Sequence, residues 1–465
     1  MKTRLVSIDK IGRCGRISPL AKKKNATFVT GKHSVVYSVH RSELLEENAS
    51  RGIMFFELAG PREKIYFDPE TLTCGIVTCG GVCPGLNDVI RAITIELYGW
   101  YGAKKVLGFR YGYKGLTKNT GFPPVLLTSD NVDDIHERGG TILASSRGAH
   151  EVRDMVGTLL ENGVNILFTI GGDGTMKGAR DIAAHIRKEK LDIAVIAVPK
   201  TIDNDINYVR MSFGFQTAVQ ESKAVIASAH IEAKGAPNGV GLVKLMGRHS
   251  GYIAAQATLA NSNVNYCLIP EVPFRLRGEG GFFDVLRKRL EKKHHAVIVV
   301  AEGAGQDLIR TDPAGQQCDL SGNARLKDIG HFLKENIEEY FRSVDTEVNI
   351  KYIDPSYTIR SVPANAMDSS YCLALGQNAV HAGVTGRTNM AVGHWNNHFI
   401  HVPIPMAVEK RNTVDPDRRL WKTVMESTLQ PGSIFLGGHA SRGHTSTAKT
   451  AIIQLFSEMF DRFLA

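Results

Sequence analysis

The 465-residue chain is 43% hydrophobic and 22% charged, a balance that excludes general disorder and, at this length, is expected to divide into two or more packed domains. No apolar run approaches the roughly 18 residues needed to cross a bilayer, and the opening MKTRLVSIDK lacks the apolar stretch of a secretory signal, so no membrane partner and a cytoplasmic setting are expected. The net charge of +9 is concentrated: residues 1–33 hold nine Lys and Arg against Asp9 alone, and with no basic stripe interleaved with aromatics elsewhere, nucleic acid is not expected as a partner.

Residues 1–70 read as an extension whose basic start is expected to be solvated, an organelle transit peptide or a nucleic-acid arm being the other readings. From residue 73 onward, short apolar runs alternate with helical patterns. TCGIVTC (73–79) precedes LNDVIRAITIELYGW, and VNILFTI (164–170) precedes TMKGARDIAAHIRKE; DIAVIAV, VGLVKL, YCLIP, HAVIVV and VNIKYI follow. Continuous apolar strands separated by helices predict an α/β protein with buried parallel sheets. The expected organisation is two Rossmann-like three-layer domains: residues 71–213, with 361–410 returning to them, and residues 214–360, followed by a C-terminal extension over 411–465. The seven cysteines fall mostly in these apolar elements and are expected to be reduced. Cys74, Cys79 and Cys83 are closely spaced, but strand and glycine turn separate them and no His lies near, which disfavours zinc.

Each polar cluster falls just after one of the strands, where open α/β sheets bind ligands. Gly80-Gly81-Val82-Cys83-Pro84-Gly85 joins a strand to a helix, where glycine lets backbone N–H groups approach phosphate; by itself it reads more readily as a tight turn, and it has neither the GxGxxG nor the P-loop spacing. Gly171-Gly172-Asp173-Gly174-Thr175 adds a carboxylate able to hold Mg²⁺ beside nucleotide phosphates, or else to cap the next helix. The same string occurs in NAD and lipid kinases, so it speaks for the phosphate and not for the acceptor. Lys200-Thr201-Ile202-Asp203-Asn204-Asp205 places two carboxylates two residues apart beside a hydroxyl, directly after a buried strand. Such an arrangement is costly without a cation or proton to handle. An attacking hydroxyl needs a proton acceptor and developing charge needs cations, roles open to Asp203 and Lys200.

The stretches GIVTCGGVCPGLNDVIRAI, GGTILASSRG, GGDGT, PKTIDND, FGFQTAV, VKLMGR, AEGAGQ and YIDPSYTIR resemble, in order, those of the phosphofructokinase A family, with its ATP-using and pyrophosphate-using branches. The resemblance covers roughly residues 73–410 and is strongest to the long ATP-dependent branch of plants, trypanosomatids and some bacteria. It implies ATP-dependent phosphorylation of fructose 6-phosphate with Mg²⁺ and a homo-oligomer, dimer or tetramer. Asp203 matches the general base, Thr201 a sugar contact, Asp205 a support for the loop and the metal region, and Asp173 the magnesium aspartate. Gly80, Arg147, Gly148, Gly172, Gly174, Thr175 and Lys200 match nucleotide-side positions, Arg147 and Lys200 at the transferring phosphoryl. Ile202, Met246, Gly247, Arg248 and Glu302 match the sugar site, and Lys351, Tyr357, Thr358, Ile359 and Arg360 the surroundings of the 6-phosphate.

Departures from the short bacterial enzymes are Gly239 in place of an arginine that reaches a neighbouring subunit, Lys351 in place of arginine and Tyr357 in place of histidine. They are shared by the long branch and put in doubt only a copied allosteric control. A pyrophosphate-dependent enzyme is the nearest alternative, but its branch carries aspartate where this chain has Gly174. A non-catalytic regulatory subunit is disfavoured because Asp203, Asp173, Arg147 and Arg248 are all present.

Overall fold

In the computed structural model, which describes residues 2–24, 26–118, 121–309 and 325–436, the first 70 residues form strands β1 (Thr3–Leu5), β2 (Arg16–Ile17), β3 (Ser34–Val36), β4 (Ile53–Leu58) and β5 (Lys64–Ile65), with helix α1 (Arg41–Ser50) before β4. The alternating part then gives β6 (Thr73–Thr78), α2 (Leu86–Ile95), β7 (Lys105–Phe109), β8 (Val125–Leu127), α3 (Val152–Glu161), β9 (Ile166–Gly171), α4 (Asp173–Lys188) and β10 (Ala194–Pro199). Helix α5 (Phe215–Lys234) leads into β11 (Gly239–Leu245), α6 (Tyr252–Leu259), β12 (Tyr266–Leu268), α7 (Phe282–Lys293), β13 (His295–Ala301), α8 (Ile329–Ser343) and β14 (Asn349–Ile353). A single turn, α9 (Thr358–Ser361), and the long α10 (Ala366–Val384) return the chain to β15 (Met390–Trp395) and β16 (His398–Pro403), followed by α11 (Ile404–Ala407) and α12 (Arg419–Thr428). Cys318 and the part of the C-terminal extension beyond residue 436 lie outside the described residues.

The molecule is an α/β protein with a mixed, mostly parallel main sheet. That sheet runs β1-β4-β16-β15-β10-β9-β6-β7-β8, with β3 added alongside β4, and a separate sheet runs β12-β13-β11-β14. The second sheet and the β15-to-β7 centre of the first are parallel throughout. Adjacent residues of the central strands face opposite sides, as the two-residue strand period requires. Ile76, Phe168 and Ile196 join a core that continues through Val89, Leu375 and Ile226 to Leu242 and Val299 of the second sheet. Val77, Leu167 and Val195 join a separate core beneath α3 and α4. No helix among the described residues is long and apolar enough to cross a membrane.

The segment read as an N-terminal extension supplies β1, β3 and β4 to the main sheet. Its first 33 residues are largely exposed, but β4 is apolar and Phe56 is fully buried. A buried charge cluster anchors it. Glu57 receives hydrogen bonds from Arg387 Nε at 3.1 Å, Arg62 Nη2 at 3.2 Å and His401 Nδ1 at 3.1 Å. Burial would raise the Glu57 carboxyl, yet the bonds from His401 and Arg387 hold it far below the carboxylate range.

Strand pairing levels the ends that matter. Pro199 pairs with Gly171 and Ile170 with Thr78, so the loops after β10, β9 and β6 leave the first sheet side by side. In the second sheet Leu245 pairs with Ala301 and Val243 with Ile353, which does the same for the loops after β11, β13 and β14.

Candidate active site

The first wall of the cleft begins at Gly80, whose φ of +86° is open to glycine without strain. Its amide donates to Ser146 O at 3.1 Å and its carbonyl accepts from Ser145 Oγ at 2.6 Å, which ties the turn to the loop bearing Arg147. Lys200 is buried and its Nζ donates to Gly81 O at 2.7 Å. A Cβ placed on Gly81 would stand 3.5 Å from Arg147 Nη2 and 3.8 Å from Arg360 Nη1. Three cations therefore gather over one glycine turn, one of them from the opposite sheet.

Beside this turn, Gly172 caps α4 and Asp173 and Gly174 occupy its first turn, the positive end of a 16-residue helix. A Cβ on Gly174 would meet nothing within 4 Å, whereas one on Gly172 would press on Lys200 O at 3.3 Å. Thr175 is buried, and its side chain fills the space that a Cβ on Gly171 would need.

The loop after β10 forms the floor. Thr201 Oγ1 donates to Asp205 Oδ1 at 2.8 Å and accepts from the Asp203 amide at 3.2 Å. Asn204 takes a left-handed φ of +56°, and its side-chain oxygen accepts from the Ser212 amide at 2.9 Å. The turn thereby brings Asp203 to the second sheet. Arg248 N approaches Asp203 Oδ2 at 3.5 Å, and Ser250 Oγ donates to Asp203 O at 3.3 Å. Asp203 Oδ1 is buried and has no hydrogen-bond partner among the described residues. Burial, followed by the charges of Asp205 and Glu302, pushes the Asp203 carboxyl up to about 7.

The second wall follows from β11, β13 and β14. Gly247 has a φ of +127°, and an added Cβ would strike Ser250 O at 2.5 Å, so the tight turn presenting Arg248 requires glycine. Glu302 N donates to Leu245 O at 2.8 Å, fixing the carboxylate next to that turn, and burial raises its carboxyl while Arg248 pulls it down. Lys244 binds Asp354 at 2.9 Å and Asp328 at 3.1 Å, and Asp354 Oδ1 in turn accepts from Ser356 N at 3.1 Å, bracing the loop that ends in Arg360. The Arg360 guanidinium lies over the Tyr357 ring, 4.7 Å from its centroid, and its Nε is buried with no hydrogen-bond partner among the described residues.

The structure thus brings together Gly80, Arg147, Gly172, Asp173, Gly174, Lys200, Thr201, Asp203, Gly247, Arg248, Glu302 and Arg360. Ile202 and Ile359 are buried supports, Gly148 continues the Arg147 loop at a φ of +116°, and Met246 and Thr358 flank the second wall. Lys351 is not brought in. It pairs with Gly241, five residues before Met246, or about 16 Å along the strand at the usual rise.

Arg411, which sequence reasoning missed, enters the floor: its Nη1 donates to Asp205 Oδ2 at 2.6 Å and its Nη2 stands 3.7 Å from Asp173 Oδ2. Lys177 also meets Asp173, at 2.8 Å. No cluster of three or more His, Cys, Asp or Glu side chains able to hold a metal occurs among the described residues. Asp173 nevertheless already draws two cations, so its position suits a hard ion that takes most of its ligands from phosphate and water.

Paired aspartates on the floor, cations over a glycine turn and a helix N-terminus, all at the carboxyl ends of parallel strands, define an α/β phosphotransferase of small molecules. The family model described as Phosphofructokinase matches residues 73–383. The chain belongs to the phosphofructokinase family. It is 47% identical to an ATP-dependent 6-phosphofructokinase of Borreliella burgdorferi over 92% of this chain and 97% of that one. For ATP-dependent 6-phosphofructokinases of Amycolatopsis methanolica and Trypanosoma brucei brucei the identities are 46% and 45%, over 94% and 92% of this chain and 97% and 88% of theirs. The fold matches the pyrophosphate-dependent phosphofructokinase of Marinobacter aquaeolei with a TM-score of 0.63 at 16% identity, covering 78% of this chain and 91% of that one.

Proposed function

We propose that the protein transfers the γ-phosphoryl group of ATP to the 1-hydroxyl of D-fructose 6-phosphate, giving fructose 1,6-bisphosphate and ADP, the committed step of glycolysis. Relatives at 45–47% identity over more than nine-tenths of the chain carry that activity in their names. The observation that carries the choice of donor is the open space beside Gly174. At that place an aspartate would fill room needed by the nucleotide's inner phosphate and repel its charge.

Asp203 takes the proton of the attacking hydroxyl; a carboxyl raised to about 7 is suited to accept it near neutral pH. Arg147 and Lys200 face the charge that develops on the transferring group, in a cleft whose cations are set before the substrates arrive. Thr201 contacts the sugar, while Glu302 accepts from sugar hydroxyls and Arg248 and Arg360 bind the sugar phosphate. Asp173 is the residue that would hold magnesium, which would supply charge neutralisation on the nucleotide's phosphate oxygens. A homo-oligomer belongs to this reading, and so does the cytoplasm, which the free cysteines among the described residues support.

Initial rates of fructose 1,6-bisphosphate formation with MgATP and with Mg-pyrophosphate test the donor. MgATP should serve and pyrophosphate should give no appreciable product. Faster turnover on pyrophosphate would overturn the donor assignment and leave the acceptor intact. Gly174→Asp should sharply reduce use of ATP, without any need for pyrophosphate use to appear.

A further inference from the structure

Arg411 lies outside the matched family stretch of residues 73–383, yet it makes the shortest ion pair on the cleft floor. Its segment is stitched to both walls. On the side of the first sheet, Arg411 bridges to Ile206 and the Asn412 amide donates to Asp205 O at 2.8 Å. On the other side, Tyr252 Oη donates to Thr413 O at 2.9 Å and the Val414 amide donates to Glu271 Oε1 at 2.7 Å. Glu271 also receives the Gly251 amide, at 2.9 Å, just after the turn carrying Arg248. The backbone of residues 412–414 is therefore held from both walls, and the Arg411 guanidinium is not a loose surface side chain.

Its two contacts are unequal. The 2.6 Å bond to Asp205 involves a carboxylate that is nearly inaccessible and whose other oxygen is taken by Thr201. The 3.7 Å approach to Asp173 involves a carboxylate one-quarter exposed, at the helix N-terminus. A cation arriving with phosphate can displace the second contact without disturbing the first.

We propose that Arg411 is a positioning residue that holds the place of the metal between Asp205 and Asp173 until the metal–nucleotide complex arrives. This rests on the reading of Asp173 as the magnesium-site residue. With Arg411 in place, the two carboxylates do not face each other as an uncompensated pair, and Asp173 has little affinity for a free divalent ion. The metal then enters with its nucleotide, whose phosphate oxygens supply the ligands the protein lacks. Lys177 is a lesser companion: it is a half-exposed side chain one helical turn along from Asp173, where such pairs are weak.

Mn²⁺ binding to the full-length, nucleotide-free protein, followed by electron paramagnetic resonance at fixed ionic strength, tests this without recourse to turnover. Arg411→Gln should bind Mn²⁺ at least about tenfold more tightly than wild type, and Arg411→Lys, which keeps the charge, should return to within threefold of it. Unchanged affinity in Arg411→Gln, or equal tightening in Arg411→Lys, would overturn the proposal. Lys177→Met keeps the test open should Arg411→Gln fail to fold. If Arg411 is the place holder, Lys177→Met stays within threefold of wild type, and a tenfold gain there assigns the role to Lys177 instead. Failure of the donor assay with an intact Mn²⁺ result would discard the donor assignment alone.

Discussion

Two clusters of buried charge stand near the carboxylate-bearing strands of the main sheet, and they have opposite fates. Around Glu57, one carboxylate meets two guanidiniums and an imidazole, every contact is short, and its acidity is driven up. Around Asp203, the carboxylates of Asp205 on the floor and Glu302 on the second wall crowd in, one Asp203 oxygen has no hydrogen-bond partner among the described residues, and its acidity is driven down. The first cluster holds β4 to the sheet. The second is left short of partners, which substrates and their cation would provide. Surplus of donors over acceptors separates a brace from a site.

The amide substitution of each carboxylate puts that contrast under the greatest load. Asp203→Asn should lower kcat by at least about 10²-fold, the usual cost of losing a general base, while fructose 6-phosphate still binds. Turnover within threefold of wild type would mean that another group takes the proton. Stability should move the other way. A carboxyl whose folded pKa is raised loses stability as pH climbs from its unfolded value toward about 7, so Asp203→Asn should melt above wild type at pH 8, with the gap closing on acidification.

Glu57→Gln should be destabilising by about 3 kcal/mol, because Arg387 stays buried with its charge uncompensated. Denaturant unfolding at pH 7 measures it. The depressed pKa of Glu57 makes its contribution present at neutrality and lost only as pH falls below the usual carboxylate range. A neutral result in Glu57→Gln would erase the distinction between the two clusters.

Smaller effects separate the walls of the cleft. Arg248→Ala and Arg360→Ala each remove a charge-assisted contact usually worth about 1.5–3 kcal/mol, so the KM for fructose 6-phosphate should rise more than tenfold with nucleotide affinity little changed. Arg360 is the sharper case, because its guanidinium lies near Gly81 alongside Arg147. Direct titration of both ligands would reject this division of the cleft if ATP binding fell equally. In the unsubstituted protein, kcat/KM for the sugar phosphate should drop about tenfold per pH unit below about 7 as Asp203 protonates. A flat profile between pH 5.5 and 8 would remove Asp203's raised pKa from the account.

The α/β class, the parallel strands and the loops beyond their carboxyl ends were legible from residues 73 onward, because each is a local pattern: an apolar run, then glycine, then a carboxylate or an arginine. Gly80, Asp173, Asp203 and Arg248 were recognisable for that reason. The strand over Ile53–Leu58 carries the same apolar signal, but the sequence reading set residues 1–70 apart as an extension and assigned them no strand. Only the tertiary structure joined Glu57 to Arg387, 330 residues away, or Asp205 to Arg411, 206 residues away. Neither arginine stands at a distinctive spacing, and Lys410-Arg411 reads locally as an ordinary solvated pair. The position of Lys351 away from the cleft was likewise decided by strand register, which a run of five alternating residues does not reveal. Local sequence determines which elements form and which loops can carry chemistry; which distant charges meet depends on how the two sheets dock, since ion pairs depend on distance in space and not along the chain.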